Sequence, residues 1–141
     1  MNENESQQPG RDMKTVLVVD DEPHIITYLI TLLRDNGYRT AQARSAEEAM
    51  ERVMDERPDL ISLDIMMPKQ SGIAFYRKLK LDERTKDVPV IFVSAFSLAR
   101  DFTGPGFRKL IPDEKVPEPE AYLEKPVEVP KLLEVIRSIV G

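Results

Sequence analysis

Asp20, Asp21 and Asp64 each follow an apolar run, VLVV before the first pair and LISL before the third. Ser94 closes another such run, VIFV, and Lys125 comes two residues after a shorter one, AYL. Three carboxylates brought together repel, and each raises the others' pKa. A hard divalent cation cancels that repulsion, and Mg²⁺ takes oxygen ligands while sharing its shell with phosphate oxygens. With Lys125 added, the charges of such a site sum to zero. An incoming phosphoryl group is then held by the metal, by the ammonium as a point charge, and by the Ser94 hydroxyl. Phosphoryl transfer needs mostly this positioning and charge cancellation. A carboxylate can itself be the nucleophile, giving an acyl phosphate.

These groups meet only if the segments that carry them end at one edge. Thr15–Val19 and Leu60–Leu63 are apolar at nearly every position, which suits strands covered on both faces. Pro89–Val93 reads as a further strand, Ala121–Leu123 as a short one, and Tyr38–Ala43 as a more polar strand at an edge. Helical signals fall between them. Pro23 fits a first helical turn, and Ile25, Ile26, Leu29, Ile30 and Leu33 follow at helical spacing up to Gly37. Ser45 and Glu48 make a capping box. Gly72–Leu81 carries Ile73, Tyr76, Leu79 and Lys80 in helical register, and Pro130 opens a last helix through Leu132, Leu133, Ile136 and Ile139. Strands alternating with helices on short connections imply a parallel sheet with helices on both faces. Ligands of such sheets bind outside the carboxyl ends of the strands, where all five chemical groups would then lie.

The rest of the composition narrows the classes. The 141 residues suit one domain, and the net charge of −5 argues against broad electrostatic binding to nucleic acid. With no Cys and a single histidine, His24, thiolate and histidine-rich metal sites are excluded. His24 reads as an exposed helix residue. No apolar run approaches the roughly 20 residues a membrane-spanning helix needs. The polar start lacks the apolar core of a secretory signal, so a cytoplasmic location is expected. Residues 1–13 read as a disordered tail and 14–141 as one domain. Gly104, Gly106 and four prolines break up Ala95–Glu120. A helical turn near Ser97–Phe102 is expected there, followed by a long, mobile loop.

Four motifs, in order, resemble the receiver domains of two-component response regulators: VLVVDDEP at 16–23, LDIMMP at 63–68 with Gly72 beyond, VIFVSA at 90–95 and YLEKP at 122–126. The resemblance implies a flavodoxin-like (βα)5 doubly wound parallel sheet in the order 2-1-3-4-5, with an irregular or shortened fourth helix. It implies that Asp64 is the phosphoacceptor, served by a histidine kinase or phosphotransfer protein. It implies Mg²⁺ held by Asp21, Asp64 and the backbone carbonyl of Met66, with Asp20 acting through water. Ser94, Ala95 and Lys125 would receive the phosphoryl group, Ser94 and Tyr122 would form the switch, and the Lys125–Pro126 peptide would be cis. Because the chain ends just after its last helix, its output is expected to be contact with a downstream protein, with no separate turnover substrate. Apolar Met66 and Phe96 near the acceptor suggest a long-lived phosphoryl state. Two other readings stand beside this one. A pseudo-receiver would keep the fold as an interaction module and never be phosphorylated. A haloacid-dehalogenase-like phosphatase would want an acid where Met66 stands.

Overall fold

The computed structural model describes residues 13–95 and 105–141. Five strands, β1 (Thr15–Val19), β2 (Arg39–Ala43), β3 (Leu60–Asp64), β4 (Val90–Ala95) and β5 (Ala121–Lys125), form one sheet in the order β2-β1-β3-β4-β5. Every neighbouring pair is parallel. The helices are α1 (Pro23–Asp35), α2 (Ala46–Asp55), α3 (Ser71–Leu81), α4 (Pro105–Leu110) and α5 (Val129–Val140). A 3₁₀ turn, Pro68–Gln70, leads into α3.

The alternation of each strand divides the core in two. On one face Leu17, Val19, Ile61, Leu63 and Phe92 pack against Ala49 and Val53 of α2, Ile73, Phe75 and Tyr76 of α3, and Phe107 of α4. On the other, Val16, Val18, Leu60, Ile91 and Val93 pack against Ile26, Leu29 and Leu33 of α1 and Leu132, Leu133 and Ile136 of α5. This double cover explains the nearly continuous apolar runs of β1 and β3. Each large aliphatic side chain fully buried there contributes about 1.5–3 kcal/mol. Polar β2 lies at one edge, as its composition requires.

Local signals set the helix ends. Ser45 accepts the N–H of Glu48 at 3.1 Å, and the Glu48 carboxylate turns back to accept the N–H of Arg44 at 2.8 Å. Thus the box closes one residue earlier than its usual form. After α1, Gly37 takes φ 91°, a turn that only glycine enters without strain.

The segment between β4 and β5 differs from the expected long loop. Pro105–Leu110 is helical, and Phe107, Ile111 and Val116 are buried. Pro105 sits at the start of the helix, where a missing N–H costs nothing, so the proline marks a beginning rather than a break. Arg108 then donates to the carbonyls of Ile111 (3.3 Å) and Asp113 (2.7 Å), closing the exit. Most of the expected tail at 1–13, and the turn expected near 97–102, fall outside the described residues.

Candidate functional site

The parallel sheet brings the carboxyl ends of β1, β3, β4 and β5 together. Asp20 and Asp21 follow β1, Asp64 ends β3, and Lys125 ends β5. Carboxylate oxygens of Asp20, Asp21 and Asp64 lie within 4.8 Å of one another. Asp20 and Asp64 are buried and Asp21 is half-buried. The donors are all oxygen, which fits a hard cation such as Mg²⁺ and not a soft one.

Lys125 reaches across the cluster. Its ammonium lies 2.9 Å from Asp20 Oδ2, 3.3 Å from Asp64 Oδ2 and 3.7 Å from Glu22 Oε1. One positive charge thus faces several negative ones. The remaining oxygens of the buried acids are satisfied locally. Asp20 Oδ1 accepts the N–H of Glu22 at 2.9 Å, and Asp64 Oδ1 accepts the N–H of Met66 at 2.9 Å. These are side-chain-to-backbone turns, which fix each carboxylate just past its strand.

Burial raises the Asp64 carboxyl above its ordinary value, and the neighbouring Asp20 charge adds to the rise. The Met66 N–H and Lys125 oppose it. For Lys125, burial pulls downward, but the bond to Asp20 and the charges of Asp64 and Asp20 outweigh it and leave the ammonium above its usual range. The lysine is therefore charged at neutral pH.

Gly72 opens α3 directly against the end of β3. A Cβ there would stand 2.7 Å from the Asp64 carbonyl oxygen and 2.8 Å from the Ile65 Cα. Only glycine permits that approach. Before it, Lys69 takes φ 60°, a left-handed conformation uncommon outside glycine.

On β4, Ser94 is buried and stands one residue past Val93, the register partner of Asp64. Ala95 is in register with Lys125, and the Lys125–Pro126 peptide is cis. Met66 is exposed to 46% beside Asp64, and Phe96 falls outside the described residues. Tyr122 is half-buried on β5, its ring edge-on to Phe92 at 5.7 Å. The sequence-selected acids and lysine thus converge, and Ser94 and Ala95 stand beside them on β4. Glu22, the residue just before α1, reaches the rim through Lys125.

Two residues were not singled out beforehand. Glu118 accepts the Tyr122 hydroxyl at 2.8 Å, and Glu120 accepts the N–H of Val90 at 2.8 Å. The repeated Pro-Glu at 117–120 was their only signal. A groove of about 700 Å³ lies apart from the strand ends, beside β2 between α1 and α2.

Known proteins share the fold and the sequence pattern of this chain. The family model described as "Response regulator receiver domain" matches residues 16–104. The polar-differentiation response regulator DivK of Brucella ovis is 34% identical over 130 residues, covering 91% of this chain and 97% of that protein. Among solved structures, chemotaxis protein CheY4 of Vibrio cholerae superposes with a TM-score of 0.75 at 25% identity, covering 90% of this chain and 98% of that one. The N-terminal domain of a response regulator receiver protein from Methanoculleus marisnigri is 32% identical, with a TM-score of 0.63, covering 91% of this chain and 97% of that one.

Proposed function

The chain belongs to the response regulator receiver domain family of two-component signal transduction, and on that premise we propose that Asp64 accepts a phosphoryl group from a phosphohistidine of a kinase or phosphotransfer protein. The observation that carries the reading is the meeting of Lys125 with Asp20 and Asp64, at 2.9 and 3.3 Å. Three acids from the ends of β1 and β3 make one pocket of oxygen donors, with the cation at the end of β5 beside it.

In the proposed transfer, Asp64 Oδ attacks phosphorus and the P–N bond to the donor imidazole breaks. The imidazole leaves with the electron pair, and the aspartyl phosphate remains. Mg²⁺, when bound by Asp21, Asp64 and the Met66 carbonyl, with Asp20 acting through water, supplies neutralisation of the phosphoryl oxygens. Asp64 is held ready by the Met66 N–H, which fixes one oxygen and leaves the other toward Lys125. Lys125 then exchanges a carboxylate partner for a phosphoryl oxygen at little movement. The Ser94 hydroxyl and the backbone at Ala95 complete the phosphoryl cradle, and Tyr122 follows Ser94 as the switch. Phosphate then favours one of two packings that exist beforehand. The output is contact with a downstream protein. A cytoplasmic setting accords with the absence of any described helix long and apolar enough to cross a membrane.

The test is incubation with Mg²⁺ and acetyl phosphate, followed by intact mass of wild type and Asp64→Asn. One phosphoryl group gained by wild type and none by the variant is the expected result. No gain by wild type would leave the fold as an interaction module alone.

A further inference from the structure

Building on the reading that Asp64 is phosphorylated and Tyr122 moves with Ser94, we infer that Glu118 is a latch: its carboxylate holds Tyr122 outward before phosphorylation and so sets how readily the protein switches. The Tyr122 hydroxyl donates to Glu118 Oε1 at 2.8 Å, on the exposed side of the ring. The ring stands edge-on to Phe92, which continues into Tyr76 and Phe107. Phe92 is the register partner of Tyr122. Ser94, two residues further along β4, therefore shares its sheet face. Any inward turn of the ring toward Ser94 first breaks the bond to Glu118.

The latch is held in place by its own segment. Residues 117–120 form a strap tied to α3 and β4. The Tyr76 hydroxyl donates to the Pro117 carbonyl at 2.6 Å. The Val90 N–H donates to Glu120 Oε1 at 2.8 Å, and the Glu120 N–H donates to the Val90 carbonyl at 2.9 Å. Pro117 and Pro119 fix φ on either side of Glu118, and Pro119 is buried. The backbone beneath Glu118 is thereby held close to Tyr122. Burial and the Glu118 bond both push the phenol above its ordinary value, so it stays a donor at neutral pH. A hydrogen bond to a charged acceptor is stronger than a neutral one. Glu118 is thus a positioning residue that acts through Tyr122.

The experiment uses the full chain with 3-fluorotyrosine at its four tyrosines, the Tyr122 resonance being assigned with Tyr122→Phe. Glu118→Ala, with no phosphodonor, should move that resonance toward its position in phosphorylated wild type. At limiting acetyl phosphate the same variant should reach roughly threefold to tenfold more phosphorylated protein at equilibrium, the scale of one partly exposed hydrogen bond. Glu118→Gln keeps an acceptor oxygen but loses the charge, and should fall between wild type and Glu118→Ala in both measurements. A resonance unmoved in Glu118→Ala overturns the latch, whatever wild type does with donor. A moved resonance with unchanged phosphorylation also overturns it, because Glu118 would then hold the ring without setting the switch. Wild type gaining no mass from the donor is a separate result, and it overturns the Asp64 reading together with the switching role built on it.

Discussion

The Lys125 ammonium lies 2.9 Å from Asp20 Oδ2, although 105 residues separate the two. Asp64 shares the same ammonium at 3.3 Å. The lysine is therefore the resident counter-charge of the acid cluster, and it competes with any divalent cation for the same oxygens.

Replacing Lys125 with Met should show both sides of that competition. Without a divalent cation, the buried acids lose their partner, and stability should fall by about 2–3 kcal/mol, somewhat under the cost of breaking a fully buried pair. Mg²⁺ should then bind several-fold more tightly, because nothing cationic opposes it. Titration calorimetry on both proteins decides this, and equal Mg²⁺ affinities would refute the competition.

Gly72→Ala should damage the end of β3. The added methyl would meet the Asp64 carbonyl at 2.7 Å, which is backbone and cannot swing away. Overpacking of this kind costs about 1–3 kcal/mol. Phosphoryl uptake should slow as well, because the residue displaced is the proposed acceptor. Wild-type denaturation and uptake rates in Gly72→Ala would show that the contact relaxes without consequence.

Lys80 predicts a pH signature. It is 6% exposed, and its ammonium donates to the carbonyls of Val88 (2.7 Å) and Lys86 (3.1 Å). Burial lowers its pKa below the ordinary 10.5, with Glu120 and Asp87 opposing. Between the folded value and 10.5 the unfolded chain holds more protons, so stability rises with pH in that window. At neutral pH the buried charge is a constant cost. Lys80→Met removes this titration while leaving two carbonyls without their donor. The stability difference, wild type minus variant, should therefore increase from neutral pH toward 10.5. Denaturant midpoints measured at both ends of the range test it, and a difference that ignores pH contradicts the assignment.

Met66, half-exposed beside Asp64, offers no polar group to guide water toward an acyl phosphate. The phosphorylated protein should last minutes or longer without a phosphatase, and Met66→Glu should shorten that lifetime several-fold. Mass measured over time after donor removal checks both. A wild-type lifetime of seconds would count against the argument.

The strands and the acids were legible because one physical cause wrote both signals. A strand covered on two faces is apolar at nearly every position, so the first charged residue marks its end, and ligands gather at such ends. Asp20, Asp64 and Lys125 could be placed that way. Helix α4 was hidden because Gly104, Pro105 and Gly106 read as breakers, although Phe107, Leu110 and Ile111 keep helical spacing just behind them. Glu118 was out of reach for a different reason. Its partner Tyr122 lies four residues away in a strand, and only the path of the strap between Pro117 and Glu120 decides whether the two meet.

The order of the strands along the chain also fixes a sequence of events. β5 follows all the others in synthesis and docks on β4, so the acids of β1 and β3 exist before their lysine does. Without β5 in place, any approach of those acids is opposed by their own repulsion, with no Lys125 ammonium among them. The last strand along the chain thus carries the charge that relieves this repulsion.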